Sequence, residues 1–111
     1  MKTLRLPINR HFYNEVNNEI LVEDYREIKK YWIERLVKTR LKNKTPQQLV
    51  DLYFNKNVDI FQNYERVLFS LGYGDNPLTV ETKFVSLRLT TPDEMTCMGQ
   101  GIAFAIKIEY L

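Results

Sequence analysis

Residues 102–110 alternate without interruption. Ile102, Phe104, Ile106, Ile108 and Tyr110 fall on one parity, and Ala103, Ala105, Lys107 and Glu109 on the other. A period of two sends the large apolar set to one face of a β-strand. So apolar a strand at an open sheet edge would invite pairing with other chains, so it is expected to be paired along both of its edges. Its alanine face is expected either to be covered by another element or to lie bare.

The rest of the chain supplies partners for that strand. Met1 to Ile8 alternates, with Leu4, Leu6 and Ile8 inward, and reads as a strand. Asn9 can cap a helix from Arg10 to about Val16, and Asn17-Asn18 supplies a turn. Leu21 to Glu27 reads as a second strand. Ile28, Tyr31, Trp32, Arg35 and Leu36 then keep helical spacing, which sets Arg35 on an apolar stripe. Thr45-Pro46-Gln47-Gln48 has the form of a capping box and opens a helix running to about Phe54. Residues 55–63 read as loop and Tyr64 to Leu71 as a strand. Gly72 to Pro77 is turn chemistry throughout. Leu78 to Thr91 is a long strand whose apolar phase slips, and a bulge at Lys83-Phe84 would account for the slip. The expected fold is α+β: one domain over residues 1–111, a small mixed barrel of about five strands with two or three helices.

Composition narrows the function classes. At 111 residues, with 44% hydrophobic and 13% aromatic content, the chain is globular and has one modest core. No apolar run approaches the ~20 residues that cross a bilayer, and Met1 to Arg10 lacks the layout of a signal peptide. One cysteine, Cys97, and one histidine, His11, are too few for a disulfide or a Cys/His metal site. A cytoplasmic protein without metal, cofactor or membrane contact is expected. The net charge of +2 is unevenly spread. Arg26 to Lys44 holds eight of the sixteen basic residues against only Glu27 and Glu34, a net +6. The remaining eight bases meet twelve acids, a net −4. Such a segment provides a face for polyanions, or else a solvated helix surface.

No phosphate-binding glycine loop or nucleophile–base set stands out. The densest chemistry lies in Glu23 to Leu36, which mixes acids, bases and aromatics. On a strand, Asp24 and Arg26 share one face, where the acid can orient the arginine toward a phosphate or a base edge. A cross-strand ion pair is the competing role for the same two residues.

Several segments together form a pattern: Leu4-Arg5-Leu6-Pro7-Ile8 ahead of Phe12-Tyr13; Asp24-Tyr25-Arg26-Glu27-Ile28-Lys29 with Tyr31-Trp32 and Arg35-Leu36; and Val67-Leu68-Phe69-Ser70-Leu71-Gly72-Tyr73-Gly74 before the final apolar strand. In this order, over most of the chain, they resemble the ASCH domain family, and most of all its small stand-alone members in bacteria and phages. The resemblance implies a PUA-like β-barrel that binds nucleic acid or a nucleotide. The family signature is a glycine, a lysine two residues later, then an acid, any residue and an arginine. Asp24 and Arg26 match the last part. Glu19 stands at the glycine position, Leu21 at the lysine, and Val22 at the following position, often threonine. In members that hydrolyse N-acetylated cytidine, that lysine and threonine are catalytic, and Leu21 offers neither nucleophile nor base.

The resemblance therefore implies a non-catalytic module for RNA or a nucleotide-like ligand. Arg26 and Lys30 are expected to contact phosphate, with Asp24 orienting Arg26. Arg35 is expected as a second phosphate contact or as a buried partner of Glu27. Trp32 or Tyr73 would stack on a base; helical spacing favours core packing for Trp32, and Tyr73 sits in a turn between two glycines. The alternative is an amidohydrolase-type enzyme acting on a modified nucleoside or base, with a catalytic set drawn from Lys2, Glu81 and Lys83. A third reading docks the basic helix on an acidic protein.

Overall fold

The computed structural model describes residues 2–72, 77–91 and 101–111. Five strands, β1 (Thr3–Ile8), β2 (Glu23–Glu27), β3 (Arg66–Leu71), β4 (Thr79–Thr90) and β5 (Ala103–Tyr110), form one sheet in the order β1-β3-β4-β5-β2. β1 pairs parallel with β3, and β3 antiparallel with β4, so the sheet is mixed. The helices are α1 (Arg10–Asn17), α2 (Lys30–Leu36) and α3 (Pro46–Phe54), with a 3-10 turn at Thr39–Leu41. The fold is α+β. β5 lies between β4 and β2, the two-sided pairing that its alternation requires. Ala103 and Ala105 are 2% and 1% exposed, so their face is covered, whereas Lys107 and Glu109 reach solvent.

The chain packs as two compact units built from discontinuous segments. The first comprises Met1–Asp24, Asn63–Ser86 and Ile106–Leu111. Its core is a period-two interior: Leu4, Leu6 and Ile8 of β1, Val67 and Phe69 of β3, and Ile106 and Ile108 of β5, with Val16 of α1. Leu4 stands opposite Val67 and Leu6 opposite Phe69. Asn9 starts α1 by accepting a hydrogen bond from the Phe12 amide at 3.0 Å. The turn after α1 lies slightly later than expected: Glu19, not an asparagine, takes the left-handed conformation at φ +60°. β2 begins at Glu23 rather than Leu21. The carbonyls before it are still used, that of Val22 by the Ile108 amide and that of Leu21 by the Tyr110 hydroxyl.

The bulge expected at Lys83-Phe84 is absent from the ladder between β3 and β4. One register runs from Ser70 opposite Thr79 to Arg66 opposite Lys83, and the Phe84 amide continues it by donating to the Glu65 carbonyl. The apolar pattern of β4 also departs from its burial. Thr82 fills the buried position, its hydroxyl donating to the Val67 carbonyl at 3.2 Å, while Val85 is 45% exposed on the same parity as Glu81 and Lys83. Leu89 and Thr90 are then both buried.

The second unit comprises Tyr25–Gln62 and Leu87–Ala105. α2 buries Trp32, Ile33 and Leu36, followed by Val37. The expected stripe through Ile28, Tyr31 and Arg35 is rotated away from the core. Ile28 precedes the helix, so counting from it misplaces the face, and Tyr31 ends 43% exposed. α3 opens with a reciprocal capping box: the Gln48 amide donates to Thr45 Oγ1 at 3.2 Å, and the Thr45 amide to Gln48 Oε1 at 2.9 Å. Residues 55–63 do more than connect. Ile60 and Phe61 are buried, Phe61 bridges to Val37, and the Phe61 ring lies 5.7 Å from Tyr53 and 6.1 Å from Phe104.

Candidate functional site

Two arginines of the second unit lie on aromatic rings. The Arg26 guanidinium carbon sits 4.7 Å over the ring of Trp32, which is only 6% exposed. The Arg35 guanidinium carbon sits 3.5 Å over Tyr31, and its Nη1 donates to the Tyr31 carbonyl at 2.9 Å. Tyr31 and Trp32 meet edge to face at 4.8 Å. Each ring attracts the cation above it and holds the guanidinium plane in a fixed attitude, a geometry that a lysine cannot reproduce. The exposed aromatic of α2 is thus Tyr31, while Trp32 is packed beneath Arg26. Glu27 pairs with Lys29 at 4.0 Å, so Arg35 is not its buried partner.

Arg35 also borders an open groove of about 880 Å³. Lys30 and Glu34 of α2 line it on the same helix, and Lys42, Asn43 and Lys44 line it from the segment that leads into α3. Among the described residues, four cations and one carboxylate line this groove. Among the described residues no carboxylate pairs with Lys30, Lys42 or Lys44, whereas Lys38 pairs with Asp59 at 3.5 Å and Lys56 with Asp51 at 3.4 Å. Unpaired ammonium groups beside one another raise the local potential and favour an anion. A second groove in this unit, of about 850 Å³, is bordered by Glu27 and Asp51 and, among the described residues, by no lysine or arginine.

The expected site residues are thus dispersed. Lys30 and Arg35 reach the cationic groove, Arg26 and Trp32 form a stacked pair, and Asp24 is buried in β2. Tyr73 and Cys97 lie outside the described residues. Of Lys42, Asn43 and Lys44, only Lys42 is expected from sequence as a phosphate contact, together with Lys38 and Arg40. The charge run contained both lysines, but their convergence with α2 depends on how the chain returns after Leu36. Lys38 and Arg40, equally basic in sequence, do not line the groove.

The residues of the alternative catalytic set all lie in the first unit. Lys2 Nζ sits 4.7 Å over the Tyr64 ring, Glu81 pairs with Arg66 at 3.8 Å, and Lys83 is exposed opposite Arg66. Among the described residues no group of three or more His, Cys, Asp or Glu side chains is placed to hold a metal, and no helix is long and apolar enough to cross a membrane. Compared with known protein families, curated proteins and solved structures, the chain matches none.

Proposed function

We propose that this chain is a non-catalytic RNA-binding module of ASCH type with a PUA-like fold, holding a single strand chiefly through its phosphates. The cationic groove carries the reading: Lys30, Arg35, Lys42 and Lys44 face one open channel, with the three lysines unneutralised among the described residues. The five-stranded mixed sheet, the Asp24-x-Arg26 pair and the order of the flanking motifs support the family assignment. Leu21 and Val22, in place of a catalytic lysine and threonine, support binding without turnover. The purified protein is expected to release no acetate from acetylated cytidine above background.

Fluorescence anisotropy with a labelled single-stranded RNA octamer, read across a salt series, tests the groove. Each lost phosphate contact lowers the slope of log affinity against log salt by about 0.7 for a single strand, so replacing Lys30, Lys42 and Lys44 with Ala is expected to remove about 2. Replacing Lys38 and Arg40, which lie outside the groove, is expected to change the slope far less. Equal losses from the two sets would reduce the basic segment to a diffuse counter-charge. Octamer binding that resists competition by mononucleotides, yet is displaced by an acidic peptide, would favour a protein partner instead.

A further inference from the structure

Glu34 is anomalous in the cationic groove. A carboxylate there opposes every phosphate that enters, and it has basic neighbours with which to be neutralised. Lys30 lies four residues before it and Lys38 four residues after it, both within helical reach in principle. Lys38 instead turns to Asp59 at 3.5 Å, and no ion pair joins Glu34 to Lys30 or to any other described residue. The carboxylate is exposed and lines the groove beside Lys30 and Arg35. An ionised carboxylate is an acceptor with two oxygens and no proton to donate. In a channel that holds phosphates by lysines, such a group is complementary to the donors of a nucleotide, its ribose hydroxyls and the edge of its base, and of these only the base edge differs from one nucleotide to the next.

We propose that Glu34 is a specificity-determining residue that reads the base edge and selects guanine; the proposal rests on the RNA-binding reading above. Guanine alone places two adjacent N–H donors, N1–H and the N2 amino group, along its Watson–Crick edge, matching the two oxygens of one carboxylate. Adenine and cytosine offer one amino donor beside a ring nitrogen whose lone pair repels a carboxylate. Uracil offers one N–H flanked by two carbonyls. Single-stranded RNA exposes these edges, and proteins read them by hydrogen bonds of this kind. The expected order is guanine first, adenine and cytosine next, and uracil last.

The experiment is competition of GMP, AMP, CMP and UMP against the labelled RNA octamer, with inorganic phosphate as a base-free reference, on wild type and on Glu34→Gln. A bidentate pair of this type discriminates by about tenfold or more. GMP is expected to compete about tenfold better than UMP on wild type, and the two to fall within about twofold on Glu34→Gln, with phosphate competition unchanged or slightly improved. A Glu34 that acts only as a surface charge gives a different pattern: Glu34→Gln strengthens all four nucleotides and phosphate by one common factor. That result, or equal competition by the four nucleotides on wild type, overturns base reading and leaves the RNA-binding reading intact. An octamer that does not bind wild type at all removes both. Glu34→Asp, which keeps the charge but withdraws it by one methylene, is expected to retain part of the guanine preference.

Discussion

The two units of this protein differ in the way they use charge. The first holds six basic and eight acidic residues, a net −2; the second holds ten and six, a net +4. The first buries alternate residues of regular strands, and charges on neighbouring strands pair across the ladder, as Arg66 does with Glu81. The second is built largely from short helices and the segment after α3, and leaves three lysines around one groove without a carboxylate partner among the described residues. Regular strand pairing settles side-chain direction locally, so charges on a strand meet cross-strand neighbours. Short helices joined by irregular chain leave room for cations from separate segments to converge, and the proposed binding surface draws on that freedom.

The strongest way to break this division is to damage each core and read both stability and binding. Phe69→Ala in the first unit and Phe104→Ala in the second each remove a side chain that is 0% exposed. Each is expected to cost about 3–5 kcal/mol in chemical denaturation. Phe69→Ala is expected to leave the salt slope of RNA binding unchanged per folded molecule, because every described groove residue belongs to the other unit. A flattened slope in that variant would show that the charge division does not map onto function.

A smaller effect sharpens the role of Arg26. Trp32 is the only tryptophan in the chain, so its emission reports on the cover that Arg26 provides. Arg26→Ala is expected to shift that emission to longer wavelength and to cost about 1–2 kcal/mol, the worth of a partly desolvated cation–π contact. Arg26→Lys keeps the charge but not the plane, and is expected to fall between. Unchanged emission and melting temperature, with loss of RNA affinity, would return Arg26 to direct phosphate contact.

The same contrast decides what could be read from sequence. In β1 and β5 the period of two survives in the structure, because a regular strand allows a large apolar side chain only two directions. Thr45 to Gln48 was legible for a similar reason: both capping hydrogen bonds are made within four residues. Reading failed where tertiary context chose. Val85 extends the apolar pattern yet faces solvent, while Thr82 occupies the core by satisfying its hydroxyl on Val67. Ile60 and Phe61 sit in a stretch with no periodicity, and are buried because Val37 and Phe104 provide their surroundings. At the site, the basic run was visible but its useful members were not. Lys38 and Lys42 look alike along the chain; Asp59 neutralises the first, while the second faces the groove.

The smallest expected effect tests whether charge is locally settled at the acidic groove in the way it is left unsettled at the cationic one. The Asp51 carboxyl is held below the usual carboxylate range, first by the hydrogen bond from Asn55 Nδ2 at 2.8 Å and then by Lys56. A carboxyl whose folded pKa is depressed contributes stability that is present above its unfolded value and lost as pH falls through the folded value, so this contribution is complete at neutral pH and disappears only in acid. Asn55→Ala removes the largest cause and is expected to move the Asp51 titration, followed by side-chain NMR, up toward the ordinary range. Lys56→Ala is expected to move it less. Added salt separates the two causes further, because an exposed ion pair is screened while a short neutral-donor hydrogen bond is not. At high salt, wild type and Lys56→Ala are therefore expected to converge, with Asn55→Ala still displaced. Convergence of all three would mean that Asp51 responds only to the general field of this basic unit, and that its local pairing does not distinguish the acidic groove from the cationic one.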